Sequence, residues 1–455
     1  MRLIGFPLLV ASSLLWVAAA TADTRPHYGG TLLVEMQAAP TSIDPADSNR
    51  TDWFGSRNLF DLLFDTLVSL NDQGKPEPAL ASSWQAEAGN QRWRFVVRRG
   101  VTFQDGTAVT PDAVATSLRR TNPTWKVFAE GEEVVIERDS PAPNLPEELS
   151  LPRNSIVKRD SGKVAGTGPF AVSRWEPGKR ISLATRDDYW GGRGFLDAIE
   201  IEMGKSFRDQ AISFDLGKAQ VIEIAPEQAH RAASEGHHVE TSAPVELIAL
   251  LFSHDPQSPE DARQRQALAL SIDRELLNTV VLQGGGEPTG GLLPNWMTGY
   301  GFLFPRSMDL AQARQVRSEI PHTTSWTLGY DQADPIARVI AERIVLNARD
   351  AGLGIQITNA NAADLRIIRA PVISLDPQLS LDALAEQLGL PRTKLASNSL
   401  DDLYVAENKL LQSQRVIPLL HLRTAYEISN TVKNWKTGRD GSWRLPNVWL
   451  GAEKP

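Results

Sequence analysis

The sequence predicts an α/β protein with more than one domain, on three observations. The chain has 455 residues, too many for one ordinary core and enough for two or three domains. Hydrophobic residues make up 42% and charged residues 22%, the balance of a soluble globular protein. Runs of strand character alternate with stretches of helical period along the whole chain, the mixture from which α/β and α+β domains are built.

Met1 and Arg2 form a minimal positive region before a mostly apolar run, residues 3–17, and Ala20-Thr21-Ala22 places small residues at the cleavage positions. This pattern predicts a secretory signal peptide, residues 1–22, cut before Asp23. The apolar run is short for a membrane span, and no later segment approaches that length. The chain has no cysteine, which excludes disulfides, thiolate catalysis, Cys-based metal sites and a lipid anchor on a cleavage-site cysteine. A freely diffusing periplasmic protein is expected, not a lipoprotein. The net charge of -8 leaves no basic surplus for phosphates, so nucleic acid is not an expected partner.

Gly29-Gly30-Thr31-Leu32-Leu33-Val34 is a glycine turn entering a strand, and Ala39-Pro40-Thr41-Ser42-Ile43-Asp44-Pro45 breaks into a loop. Within residues 57–70, Leu59, Phe60, Leu63, Phe64, Leu67 and Val68 recur at helical spacing. Residues 93–97, 134–136, 171–175, 181–184, 199–202 and 355–357 read as strands. Thr110-Pro111-Asp112 opens a helix with a cap, a proline at the first position and an acid at the positive end of the dipole. Residues 140–152 contain several prolines and are expected to be irregular. Residues 207–217 and 259–282 read as helices, as does a long stretch from Asp334-Pro335 to Asp350, ended by Gly352.

Enzymatic signatures are weak. Gly284-Gly285-Gly286 lacks the Lys-Ser/Thr of a phosphate loop, and neither a dinucleotide fingerprint nor a Gly-x-Ser-x-Gly elbow occurs. His237 and His238 are adjacent and do not face one site on a helix. His254-Asp255 has no nucleophile to serve. No catalytic residue, metal site or cofactor is assigned. A paired-acid hydrolase stays open as an alternative, because carboxylates are plentiful.

Several segments resemble, in order, the extracellular solute-binding protein family 5, the peptide- and nickel-type receptors of ABC importers. Phe64-Asp65-Thr66-Leu67-Val68 is similar to the family's Tyr-Asp-Thr-Leu-Val. Pro78-Ala79-Leu80-Ala81-Ser82-Ser83-Trp84 resembles Pro-x-Leu-Ala-x-Ser-Trp, and Gly100-Val101-Thr102-Phe103-Gln104-Asp105-Gly106 resembles Gly-Val-Lys-Phe-His-Asp-Gly. Gly166-Thr167-Gly168-Pro169-Phe170 and Asp188-Tyr189-Trp190-Gly191 fit the pair Gly-Thr-Gly-Pro-Tyr and Asp-Tyr-Trp-Gly. Arg265-Gln266-Ala267-Leu268-Ala269-Leu270-Ser271-Ile272-Asp273-Arg274 and Ile417-Pro418-Leu419 follow. Taken one by one, most of these residues read as turn and core residues, so they identify a fold and not a ligand.

The resemblance implies a two-lobe periplasmic binding protein fold (type II, cluster C-like). Lobe I would hold residues 23–246, with 417–455 returning to it, and lobe II residues 247–416. Residues 246–252 and 416–422, both apolar, would be the two hinge crossings. The short stretch between Arg120 and Val134 implies a reduced first lobe. Peptide receptors of the family often place an aspartate a few residues before an Asp-Pro to hold the peptide ammonium. Here Asp376-Pro377 is present, but Ile373 stands where that aspartate would lie. Its absence removes a charge-assisted contact worth roughly 1.5–3 kcal/mol.

The expected role is capture of a peptide-like or other small organic solute between the lobes by a monomer, and its delivery to the permease subunits of an ABC importer. The alternative is a transport-independent sensory or partner-binding protein on the same fold. Candidate ligand contacts are Asp52, Trp53, Trp296, Tyr300, Arg366, Arg369 and His421. The tryptophans could equally be packing residues, and the arginines solvated or ion-paired.

Overall fold

The computed structural model describes residues 25–47, 53–160, 162–359, 362–392, 395 and 399–451. The expected signal peptide lies outside them. The first strand runs Thr31–Glu35 with Leu32 and Val34 buried, and strands follow at Arg92–Val97, Glu133–Glu137, Phe170–Glu176, Arg180–Thr185, Ala198–Glu202 and Ile355–Ile357. Helix Pro111–Thr121 begins as its sequence dictates: the Thr110 hydroxyl accepts from the Ala113 N–H, and Pro111 occupies the first position. Helix Pro335–Asp350 is capped by Asp334. It ends at Gly352, whose φ of 78° lets the Leu353 N–H reach the Ala348 carbonyl.

Three expectations needed correction. The apolar run at 57–70 is not one helix: the helix is Trp53–Leu63, and Val68–Leu70 is a strand. Leu59, Phe60, Leu63 and Phe64 enter one core, whereas Leu67 and Val68 enter another, so the chain must leave the helix between them. Residues 259–282 divide into Pro259–Ser271, Arg274–Leu276 and a π-helical turn Leu277–Val281, because Ile272 is extended and Asp273 caps a new turn through the Leu276 N–H. The proline-rich stretch at 140–152 contains one helical turn, Leu145–Glu148.

Among the described residues the main sheet has eleven strands. Its order is Phe170–Glu176, Arg180–Thr185, Ala198–Glu202, Thr31–Glu35, Val221–Glu223, Val416–Ile428, Val239–Phe252, Leu365–Pro371, Trp326–Gly329 and Ile355–Ile357, with Gly286–Pro288 added beside Val416–Ile428. Thr31–Glu35 is parallel to both of its neighbours, as is Trp326–Gly329. Between these parallel regions lie the two long strands, Val239–Phe252 and Val416–Ile428, which are antiparallel to each other. They contain the runs expected as crossings, with Leu247 opposite His421 and Leu250 opposite Ile417.

Cores form on either side of this pair. One joins residues from 32–203 to Tyr426, Trp435 and Trp443 of the returning tail. Another is built wholly from residues within 248–422. A third, within 67–156, lies under a separate four-stranded sheet. The short stretch between Arg120 and Val134 contributes the edge strand of that sheet, Lys126–Glu130.

The sequence motifs become intelligible as polar joints. Asp65 is half-buried and accepts from the Tyr189 hydroxyl at 3.0 Å, the Trp190 indole at 2.9 Å and the Thr167 hydroxyl at 2.9 Å. One carboxylate thus joins its own segment to two others that lie 102 and more residues further along the chain. A Cβ on Gly166 would lie 2.0 Å from the Leu63 carbonyl oxygen, and one on Gly168 would lie 2.5 Å from the Leu63 carbonyl carbon, so only glycine lets this turn close on the helix end. Arg265 and Arg274 play the same part for the long strands. Arg265 lies 4.1 Å over the Phe252 ring and donates to the Gln414 carbonyl. Arg274 donates to the carbonyls of Pro418, Ala269 and Arg306, and burial lowers its pKa to about 10. Arg57 pairs with Asp440 and fastens the returning tail to the first helix.

Two predictions follow from these joints. Asp65→Ala leaves the buried Thr167 and half-buried Tyr189 and Trp190 donors without their acceptor and is expected to destabilise the fold by about 3 kcal/mol, with Asp65→Asn losing less, measured by thermal unfolding; a fall for Ala no larger than for an exposed-site control would refute the role. His237 hydrogen-bonds Glu427 on the Val416–Ile428 strand, and that bond, aided by the charge of Glu427, raises its pKa above the ordinary 6.5. Its stabilisation is therefore complete below pH 6.5 and is lost as pH rises through the raised value. The difference in melting temperature between the native protein and His237→Ala is expected to be larger at about pH 5.5 than at about pH 9.

Candidate functional site

The two long strands also form the floor of a cleft. Their register brings Glu246, Leu251, Arg423 and Thr424 to an open space of about 970 Å³, within the range of sites that hold small organic ligands. One wall comes from the N-terminal half, with Phe54 and Gly55 at the start of the first helix, Phe207, Glu223 and Glu227. The facing wall comes from the Asp331–Asp334 turn and the Leu365–Pro371 strand.

Charge on these walls is organised around Arg369. Its guanidinium donates to Glu246 and, at 3.2 Å, to the Asp334 carboxylate. Burial opposes its charge, but the two carboxylates outweigh that and raise its pKa. Asp334 uses its other oxygen to accept from the Ile336 and Ala337 N–H groups, so one residue both caps a helix and positions the arginine. Across the cleft, burial raises the pKa of Glu227; the charge of Arg369 lowers it and that of Asp334 adds to the rise. Glu223 accepts from the Gln37 N–H at 2.6 Å. Arg423 is tied to the Ser242 carbonyl at 3.1 Å. Among the described residues no group of three or more His, Asp or Glu side chains is arranged to hold a metal ion.

The seven candidate contacts separate clearly. Arg366 and Arg369 line the cleft. Asp52 lies outside the described residues, and Trp53 begins the first helix, one residue before the cleft-lining Phe54. The other three are not on the cleft walls. Trp296 donates its indole N–H to the Pro244 carbonyl at 2.7 Å, with the Arg439 guanidinium 4.8 Å from its ring; it braces a loop against the long strand and the tail. Tyr300 is buried and donates its hydroxyl to Glu407 at 2.8 Å. Glu407 also accepts from the Leu293 N–H, and burial pushes its pKa up to about 7. His421 is only 1% exposed. Burial lowers its pKa to about 4, so it is neutral, and its Nε2–H donates to the Leu292 carbonyl at 2.9 Å. Tyr300 and His421, expected as ligand contacts, do not line this cleft and act as interior polar joints, each with a protein partner away from solvent.

The charged residues that the ligand reading missed are Glu223, Glu227, Glu246, Asp334 and Arg423. Asp334 was visible only as a helix start and Glu246 only as the first residue of an apolar run. An ionisable residue at the edge of a buried strand was the available signal. Asp376 is a helix cap, accepting from the Leu379 N–H at 2.8 Å.

This architecture recurs in known proteins. The family described as bacterial extracellular solute-binding proteins, family 5 Middle, matches residues 75–385. A probable D,D-dipeptide-binding periplasmic protein of Escherichia coli is 22% identical over 368 residues, covering 74% of this chain and 71% of its own length. The structure of a nickel-binding protein of Staphylococcus aureus in complex with Ni(L-His)2 superposes with a TM-score of 0.77 at 18% identity, covering 92% of this chain and 99% of the other. An oligopeptide-binding protein of Bacillus subtilis in complex with a nonapeptide gives 0.75 at 16% identity, covering 94% and 100%. The described residues include no helix long and apolar enough to cross a membrane. With the family matched over more than half of its length, and with two cores flanking a shared pair of strands, the chain belongs to the bacterial extracellular solute-binding proteins of family 5, two-lobed α/β binding proteins and not enzymes.

Proposed function

We propose that this protein captures a peptide-like or other small organic solute in the cleft of about 970 Å³ and delivers it to the permease subunits of an ABC importer. The observation that carries this reading is the cleft: an open space with charged walls from both halves and a floor made of the strands that join them. Residues 23–246 with 417–455 form lobe I, residues 247–416 form lobe II, and the paired strands are the hinge. Register shifts between Thr241 and Pro244 and between Pro244 and Glu246 support a bend there. Closure around the solute creates the shape that the importer reads.

The sequence supports export by a signal peptide at residues 1–22 and a periplasmic location without a lipid anchor. The relatives at hand handle D,D-dipeptides, a nickel–histidine complex and a nonapeptide, so the fold accepts solutes of different size and charge. Their diversity supports the cleft side chains as the part that selects the solute.

Binding is tested on protein purified from its own periplasm. Mass spectrometry of the heat-released solute identifies the ligand, and adding it back is expected to raise the melting temperature in a concentration-dependent way. Ala333 is exposed on the cleft-lining turn, so Ala333→Trp is expected to leave the unliganded melting temperature unchanged while weakening the ligand about tenfold or more. A solute that stabilises the variant as well as the native protein would move the site elsewhere.

A further inference from the structure

A second, shallower depression opens off the cleft. It measures about 450 Å³ and runs between the π-helical turn Leu277–Val281 and helix Pro335–Asp350. Aliphatic side chains on its walls face solvent, Val280 54% exposed, Val339 45% and Leu346 38%, and the charged residues Glu342 and Arg343 line it beside them. Three large aliphatic side chains gathered in one groove depart from the scattered single exposures of an ordinary surface. Glu227, Pro335 and Ile336 line both the cleft and the groove, so the two spaces adjoin at these residues.

The junction has a distinctive chemistry. Glu227 stands in the first turn of helix Pro226–Ser234. Its Oε2 is shielded from solvent and has no hydrogen-bond partner among the described residues. The nearby guanidinium of Arg369 has its hydrogen bonds directed to Glu246 and Asp334. A shielded carboxylate oxygen without a donor is unfavourable by itself, and a donor that also carries positive charge relieves it best.

We infer that the solute is an amphipathic cation, with a primary ammonium or similar nitrogen on Glu227 and an apolar chain lying in the groove of Val280, Val339 and Leu346. This rests on the cleft being the binding site and specifies which chemistry enters it. The cleft-side charges favour a cation over an anion at this end, and the groove accepts a chain without demanding a particular shape. The apolar chain covers the exposed valines and removes them from water as the lobes meet.

The test uses n-alkylammonium ions from propyl to octyl, measured by calorimetry on the full mature chain. Affinity is expected to rise by roughly threefold to fourfold per methylene while the groove fills. Octanol is expected to bind at least about tenfold more weakly than octylammonium. Glu227→Gln is expected to weaken octylammonium at least about tenfold, Val339→Asp to flatten the chain-length series, and Val405→Asp, at an exposed position that does not line the groove, to leave it unchanged. A flat series in the native protein, equal binding of octanol, or unaltered binding by Glu227→Gln overturns the inference. In those cases a co-purified solute that still loses affinity in Ala333→Trp keeps the receptor reading. Absence of any stabilising solute overturns both.

Discussion

The structure depends on the antiparallel pairing of Val239–Phe252 with Val416–Ile428. These strands are 14 and 13 residues long, and they are where the two parallel regions of the sheet meet. Leu247 pairs with His421 and Ile248 with Leu420, but register shifts interrupt the ladder twice between Thr241 and Glu246 and once more between Ile248 and Ala249. At the interruption Ser242 takes over from the backbone: its hydroxyl accepts the Thr424 N–H, and its carbonyl receives Arg423. A ladder mended by side chains keeps its hydrogen bonds while permitting a bend. The same interruption turns Glu246 and Arg423 to the cleft, so the joint between the halves and the floor of the site are one feature.

Much of the fold was legible in the sequence because it was written in local rules. Thr110-Pro111 and Asp334-Pro335 announce helices by capping chemistry, and Gly352 announces an end. The run at 57–70 misled because helical spacing alone does not reveal which core a residue enters. Leu63 and Leu67 are four residues apart yet belong to different cores. The ordered motifs were recognisable before their reason was. Asp65, Thr167, Tyr189 and Trp190 recur in the family's pattern at distant positions, and the structure draws them onto one carboxylate.

The site was legible only in part, for a related reason. Arg366 and Arg369 stood out because two cations in an apolar strand require an explanation, and both face the cleft. Tyr300 and His421 stood out equally, as polar groups near loops and the returning strand. What decides their role is a partner that no local pattern reveals: Glu407, 107 residues beyond Tyr300, and the Leu292 carbonyl, 129 residues before His421. Burial and charge create both kinds of perturbed residue, so perturbation marks a candidate without separating binding from structure.

What does separate them is whether the protein itself satisfies the group. Asp65 has three donors, and Arg274 has three carbonyls. His421 has the Leu292 carbonyl, and Glu407 a hydroxyl and backbone amides. Each of these groups is partnered within the protein and serves to fix elements in place. Glu227 differs: it lies where the cleft meets the apolar groove and keeps a shielded oxygen without a donor among the described residues. A fold shared at 16–18% identity can hold its satisfied joints nearly constant, because each requires particular partners. Cleft residues answer to a solute that the chain does not contain, so they are free to diverge. In the proposed reading Glu227 meets the positive end of the ligand, a part that the apolar Ile373 could not play.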